Sequence, residues 1–262
     1  ERMLELIEPI LTSLLISLII QTFFFIFAVS FKSDKVTDLS YGLSFVILAW
    51  YLLLTNNQFQ PLAILLTILI TLWGIRLAGY LFIRILKIKK DKRFDGIREN
   101  PLKFAAFWFF QGVSIWVIML PSIVLLNKNN YLAIGPIAVI GTLLWLIGFV
   151  IETVADQQKF KFKNKEENKG EFIKSGIWKY SRYPNYFGEM LMWWSIFLIV
   201  APTLSGLEWL SVIGALHITF ILLFVTGIPP QEKRYQKKYG DKKDYQEYIE
   251  KTSLLIPFPR KK

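Results

Sequence analysis

Apolar and polar positions in this chain alternate in long blocks. Apolar runs cover residues 9–31, 39–55, 60–83, 104–126, 131–155, 185–201 and 207–228, joined by short polar and mostly basic connections. Most of these runs reach the roughly 20 residues that an α-helix needs to cross about 30 Å of hydrocarbon. At that depth the backbone must be hydrogen-bonded within the protein, which leaves helices or a closed barrel. The in–out alternation of barrel strands is absent. The pattern predicts an all-α polytopic membrane protein with seven transmembrane helices, forming a single transmembrane helical domain over residues 1–262.

The connections set the direction of crossing. Loop 32–38 holds Lys32 and Lys35, loops 84–103 and 156–183 hold eight Lys/Arg each, and the tail 229–262 holds ten, together 28 of the chain's 31. The opposite side has only Arg2 and Lys128, and Arg76 lies inside the third run. Basic residues collect on the cytosolic side of membrane proteins, so the expected topology has the N-terminus outside and the C-terminus in the cytosol. The first run is long enough to span and lacks a small-residue cleavage site, so it reads as a helix and not as a cleaved signal peptide.

Composition narrows the chemistry. The chain is 53% hydrophobic, with nine Trp, eleven Tyr and 22 Phe, and its mean hydropathy of +0.40 is that of a membrane protein. The net charge of +11 is spread over short loops, as topology signals and possible phosphate contacts, and does not point to nucleic acid. With no Cys there is no thiolate nucleophile and no disulfide, and a single His, His217, excludes a multi-histidine metal centre. No metal-binding motif is present.

The polar chemistry is densest in Ser175–Trp194, where Arg182, Asn185, Tyr186 and Glu189 stand at the mouth of an apolar run. Asn185 and Glu189 are four apart and share a helical face, and a carboxylate inside a membrane helix marks a functional site by default. Glu152 and Asp156 repeat the spacing on the preceding run, followed by Lys159, Lys161 and Lys163. Arg76 lies about two turns inside the third run, where a permanently charged guanidinium needs a carboxylate, a phosphate or water. Arg93 and Arg98 lie in the next loop. Cations for phosphates, carboxylates for ribose hydroxyls, and Trp178 and Tyr180 for ring stacking make up a nucleotide-site pattern. Neither a Rossmann glycine fingerprint nor a P-loop is present. Asp38 and Tyr41, at the start of the second run, and Gln21, within the first, are polar groups that could face a ligand cavity.

Ser175-Gly-Ile-Trp-Lys-Tyr-Ser-Arg-Tyr-Pro-Asn-Tyr-Phe-Gly-Glu189 resembles the signature of the steroid 5α-reductase superfamily, in particular its bacterial, DUF1295-type branch. The ending Lys237–Pro257 and the blocks Thr37–Phe45, Trp73–Arg76 and Glu152–Gln158 are similar to other parts of that group. The resemblance implies a seven-helix membrane oxidoreductase that uses NADPH to reduce the C=C bond of a conjugated enone entering from the bilayer. By the same resemblance, Asp156, Lys163, Tyr180, Arg182, Asn185 and Glu189 line the cofactor, with Arg76 and the tail residues Glu232, Arg234 and Tyr235. The cytosolic loops 84–103 and 156–183 and the tail 229–262 form the cofactor side. Eukaryotic members polarise the steroid carbonyl with a Gln-Glu pair and a Tyr. This chain has no such pair in its early helices, the Tyr position falls on Trp73, and Asp38 or Tyr41 is the expected substitute. The branch implies a bacterial inner membrane, and nothing implies a protein partner.

The rival resemblance is to isoprenylcysteine carboxyl methyltransferases and their relatives, S-adenosylmethionine enzymes with a similar late signature. They carry His where this chain has Tyr183. That difference, the Asn-Tyr-Phe-Gly-Glu spelling and the basic loops favour the reductase. A transporter or lipid-binding scaffold is the non-enzymatic alternative, and the chain lacks the paired short segments or inverted repeat that would support it.

Overall fold

A computed structural model describes residues 2–88, 94–128 and 133–259. Its main elements are α1 (Arg2–Ser30), α2 (Thr37–Thr55), α3 (Pro61–Ile88), α4 (Pro101–Ile118), α5 (Leu120–Leu126), α6 (Pro136–Lys163), α7 (Pro184–Val200), α8 (Ile213–Phe220), α9 (Ile228–Tyr239) and α10 (Lys243–Lys251). No strand occurs among the described residues, apart from one isolated parallel bridge between Ser181 and Ser253. Among the described residues, seven helical stretches are long and apolar enough to cross a membrane: Ile7–Ser30, Thr37–Thr55, Pro61–Ile88, Pro101–Ile118, Pro136–Lys163, Pro184–Thr203 and Gly206–Tyr239. The protein is an integral membrane protein with the expected all-helical, seven-span fold.

The spans depart from the apolar runs at their polar ends. The fourth run is not one helix. It turns at Met119, and Pro121 starts α5, because proline has no N–H to continue the α4 ladder. The sixth helix runs on to Lys163, where Lys161 and Lys163 occupy the last turn and complement the negative end of the helix dipole. The last span is segmented. Gly206–Val212 is 3₁₀, α8 follows, and Ile221–Val225 is a π turn, before Pro229 and Pro230 open α9.

Packing divides the chain into two compact units, Glu1–Val139 with Ile196–Gly214, and Ile140–Ser195 with Ala215–Lys262. In the first, α2 and α3 meet through small residues. A Cβ on Gly42 would lie 2.7 Å from the Gly74 carbonyl oxygen, and one on Gly74 would lie 2.8 Å from that of Gly42. Close backbone approach of this kind is how membrane helices gain dispersion contacts where lipid tails remove the hydrophobic drive. Buried polar groups tie α1, α2 and α4 together. Gln21 donates to Ser44 Oγ at 2.7 Å, and Gln111 donates to Gln21 Oε1 at 2.9 Å and to Ser40 Oγ at 3.2 Å. Asn100 caps α4 by accepting from the backbone of Leu102 and Lys103. Lys128 pairs with Glu208 at 2.6 Å, joining the end of α5 to the start of the last span.

Arg98 is 5% exposed, pairs with the 4% exposed Asp34 at 2.9 Å, and also engages Asp95 and Glu99. On the outside of α1, Leu11, Leu15, Ile19, Phe23 and Phe27 recur every fourth residue, 48–66% exposed, an apolar stripe suited to lipid.

Candidate functional site

The second unit is built around the contact between α6 and α7. A Cβ on Gly148 would lie 2.7 Å from the Gly188 carbonyl oxygen, and one on Gly188 would lie 2.6 Å from that of Gly148 and 2.7 Å from the Glu152 nitrogen. The two glycines let the backbones touch and set Glu152 directly beside Gly188. On α6, Glu152 and Asp156 are 2% and 6% exposed and one turn apart. On α7, Asn185 and Glu189 are half-buried and also one turn apart. The two polar pairs expected from spacing therefore lie on helices in direct contact.

The loop before α7 is fixed from both sides. Gly176 has φ +62°, a left-handed conformation that favours glycine, and a Cβ there would strike Gln158, whose Oε1 accepts from the Ile177 N–H at 3.0 Å. Trp178 is 1% exposed. Its indole donates to the Ala155 carbonyl at 3.1 Å, it packs with Ala155 and Ile173, and Lys159 Nζ sits 4.7 Å from the ring centroid. Trp178 was expected to stack on a ligand ring; instead it is an enclosed wall that supports Lys159. Tyr180 keeps 38% exposure, with Lys179 over its ring at 4.6 Å.

From the other side, the tail returns to this loop. Arg182 N–H donates to the Ser253 carbonyl at 2.8 Å, Ser181 Oγ donates to that of Leu255 at 2.7 Å, and Tyr248 OH donates to that of Trp178 at 2.7 Å. Phe172, Tyr239, Tyr245 and Tyr248 form a buried aromatic cluster beneath it. At the rim Lys242 pairs with Glu171 and Lys174 with Asp244, both at 2.7 Å. The hydrogen bond from Lys242 to Glu171 raises the lysine's pKa, and that from Lys174 holds the Asp244 carboxyl low.

At the junction of loop, α7 and α9 stands a clasp. Glu232 accepts from Arg182 NH1 at 3.0 and 3.2 Å and from the Tyr183 phenol at 2.6 Å. Burial, followed by the hydrogen bond to Glu232 and its charge, pushes the Tyr183 phenol far above the usual tyrosine range. Burial and the same carboxylate raise Tyr245 to about 12. Tyr183 stacks on Tyr186 at 5.6 Å with the rings 8° apart, and Gln231 donates to the Tyr186 hydroxyl. Beneath the clasp, Arg182, Glu232, Tyr183 and Tyr235 are among the residues lining a cavity of about 10 Å³, room for about one water. Arg182 Nε and Asn185 Oδ1 are enclosed without a hydrogen-bond partner among the described residues.

The remaining expected residues fall as follows. In the second unit, Lys163 donates to the Glu171 carbonyl at 3.0 Å and to Tyr239 OH at 3.2 Å, and Arg234 lies 5.7 Å from the Tyr235 ring. Asp156, Lys163, Trp178, Tyr180, Arg182, Asn185, Glu189, Glu232, Arg234 and Tyr235 thus belong to one compact unit. Asp38, Tyr41, Arg76 and Arg98 belong to the other. Arg93 lies outside the described residues. Arg98 was expected at a phosphate; the structure commits its guanidinium to Asp34 in the turn after α1 and to Asp95 and Glu99 in its own loop. Asp38 was expected as a hydrogen-bond donor; it pairs with Arg84 at 2.9 Å, and a salt-bridged carboxylate only accepts. Tyr41 packs edge-on against Phe45 and Trp73, at 5.1 and 6.4 Å. Sequence reasoning missed Tyr183 as Glu232's partner, Gln231 with Tyr186, and the Gly148–Gly188 contact. The only local signal was the placement of Tyr183 and Gln231-Glu232 beside prolines that start helices.

Over 123 aligned residues the chain is 25% identical to "3-oxo-5-alpha-steroid 4-dehydrogenase 1" of Rattus norvegicus, covering 47% of this chain and 42% of that protein. The protein of the same name from Mus musculus is 24% identical over the same share of this chain and 43% of its own length. An uncharacterized protein of Schizosaccharomyces pombe is 26% identical over 130 residues, 40% of this chain and 38% of that one. The alignments thus span less than half the length of these curated relatives. No solved structure matches. A family model described as "Protein of unknown function (DUF1295)" matches residues 24–252, nearly the whole described chain and both polar helix pairs, so the protein belongs to that steroid 5-alpha-reductase-like family.

Proposed function

We propose that this protein is an NADPH-dependent membrane reductase that saturates the C=C bond of a conjugated enone on a steroid-like or other lipid-like substrate. The observation that carries the reading is the direct contact of α6 and α7 at Gly148 and Gly188, which brings the helix bearing the buried Glu152 and Asp156 against the helix bearing Asn185 and Glu189. Arg182 Nε and Asn185 Oδ1, a donor and an acceptor left over inside the protein, suit a ligand bearing both phosphates and hydroxyl or amide groups. When bound, NADPH supplies a hydride for the β-carbon of the enone. Lys159, Lys163, Arg182 and Arg234 are the cations of this unit available for its phosphates, and the carboxylates of Asp156 and Glu189 are acceptors for ribose hydroxyls. Arg182 is already held by Glu232, so a phosphate must share or displace that carboxylate. Within the first unit, Tyr41 is the candidate for donating to a ketone oxygen, because its phenol donates and the salt-bridged Asp38 does not. A proton from solvent completes the reduction at the α-carbon. We place this site on the cytosolic face, in keeping with the basic loops, in a bacterial inner membrane.

The test uses purified protein in detergent. NADPH stabilises the wild type against heat more than S-adenosylmethionine does. Asn185→Ala and Glu189→Gln each weaken NADPH binding by about tenfold or more, the loss of a hydrogen bond to a charged or buried partner. Unchanged NADPH affinity in both variants, or stabilisation by S-adenosylmethionine alone, overturns the assignment.

A further inference from the structure

The first unit contains a second hollow, of about 440 Å³, within the range of about 300–1,000 Å³ typical of ligand pockets. Phe23, Phe27 and Phe31 form one wall along the end of α1, and Phe82 and Leu86 of α3 form the other. Phe23, Phe27, Phe31 and Leu86 are 58%, 48%, 76% and 52% exposed, so the trough opens on the lipid-facing surface. Its polar end is closed by the loop carrying Ser33 and Lys35.

That loop is built to present positive charge. Between Lys32 and Lys35 the one acid, Asp34, is turned inward, 4% exposed, and paired with the buried Arg98, which also holds Asp95 and Glu99. Lys32 and Lys35 are exposed, and Lys87 follows Leu86 on the other wall and is exposed too. The Lys35 N–H donates to Ser33 Oγ at 3.3 Å, and the Asp34–Arg98 pair anchors the same turn. The aromatic trough ends in a braced turn whose own exposed charges, Lys32 and Lys35, are both positive.

We propose that this trough binds an anionic phospholipid, with one acyl chain lying against the phenylalanines and the headgroup phosphate at Lys35. A zwitterionic lipid would use the trough equally well, but its own quaternary ammonium offsets its phosphate, so it would gain much less from the turn. A cation at the membrane surface contributes enough to an anionic headgroup that removing one lowers affinity by about fivefold.

The experiment is native mass spectrometry of the full chain in detergent, titrated with phosphatidylglycerol or with phosphatidylcholine of the same acyl chains. The wild type retains phosphatidylglycerol in preference. Lys35→Ala lowers that retention by about fivefold, Lys35→Arg restores it, and retention of phosphatidylcholine changes much less in both. Equal retention of the two lipids by the wild type, or a Lys35→Ala protein that matches it, overturns the proposal. So does displacement of phosphatidylglycerol by an uncharged long-chain enone at equal concentration, which would make the trough a substrate portal.

Discussion

Gly188→Ala probes the α6–α7 contact with a single methyl group. The new Cβ would lie 2.6 Å from the Gly148 carbonyl oxygen and 2.7 Å from the Glu152 nitrogen, both backbone atoms that no rotamer change can move. Ordinary contact begins near 3.4 Å, so the two helices must part locally by about 0.8 Å. Overpacking on this scale costs about 1–3 kcal/mol, and each kcal/mol lowers the melting temperature of a chain this size by about 2–4 °C. The same shift carries Asn185 and Glu189 away from Glu152 and Asp156. A misplacement near 1 Å at a reacting constellation can reduce turnover by about a hundredfold. Gly79→Ala is the control, since a Cβ there meets nothing within 4 Å, and in a helix the change is worth about 0.5–1 kcal/mol of added stability. Thermal unfolding in detergent and NADPH titration by fluorescence are the assays. If Gly188→Ala melts with the wild type and binds NADPH equally well, the idea that this contact aligns the site is wrong.

Three further outcomes are expected. Arg98→Ala leaves Asp34 buried without its guanidinium, a loss of about 3–5 kcal/mol that shows as a large drop in melting temperature, whereas Lys87→Ala, at an exposed position, leaves it nearly unchanged. Tyr183→Phe removes the 2.6 Å hydrogen bond to Glu232 and costs about 1.5–3 kcal/mol, read by the same melt; an unchanged melt rules out the clasp as a stabilising element. The tail's attachment is sensitive to pH at both extremes. Asp244 is held low by Lys174, so its contribution is present above the ordinary carboxylate range and is lost as pH falls below that range through the lowered folded value. Tyr245 is raised to about 12, so its contribution is intact below the ordinary tyrosine value of about 10 and is lost as pH rises from there toward 12. Limited proteolysis of the tail across pH reads both, and cleavage that is flat with pH contradicts them.

The fold was legible because hydrocarbon imposes length and apolarity on every crossing, and both are properties of contiguous sequence. The polar ends were not. The residues of α6 beyond Ala155 are charged and read as a loop, but Lys161 and Lys163 sit in the helix's last turn, where they suit its dipole. The break at Met119 depended on one proline inside a run of otherwise uniform hydrophobicity. In the site, the four-residue spacings of Glu152 with Asp156 and of Asn185 with Glu189 were readable from helical period alone. That the two pairs meet depends on Gly148 and Gly188, small residues 40 positions apart with no local signal. Trp178 looked like a stacking platform because its neighbours in sequence are polar, and only the chain folded around it shows that both faces are covered.

The strap formed by the tail has a consequence for biosynthesis. The loop that leads into α7 is completed by the Ser253 and Leu255 carbonyls, which follow the last of the described spans in the chain. Chains otherwise mature from the N-terminus onward during translation. Here the earlier helices can insert and pack while the mouth of α7 still lacks its final lining, so that mouth is finished only once the segment through Leu255 has followed the spans out. A chain stopped short of Ser253 would reach the membrane with its spans in place and the clasp region unsealed.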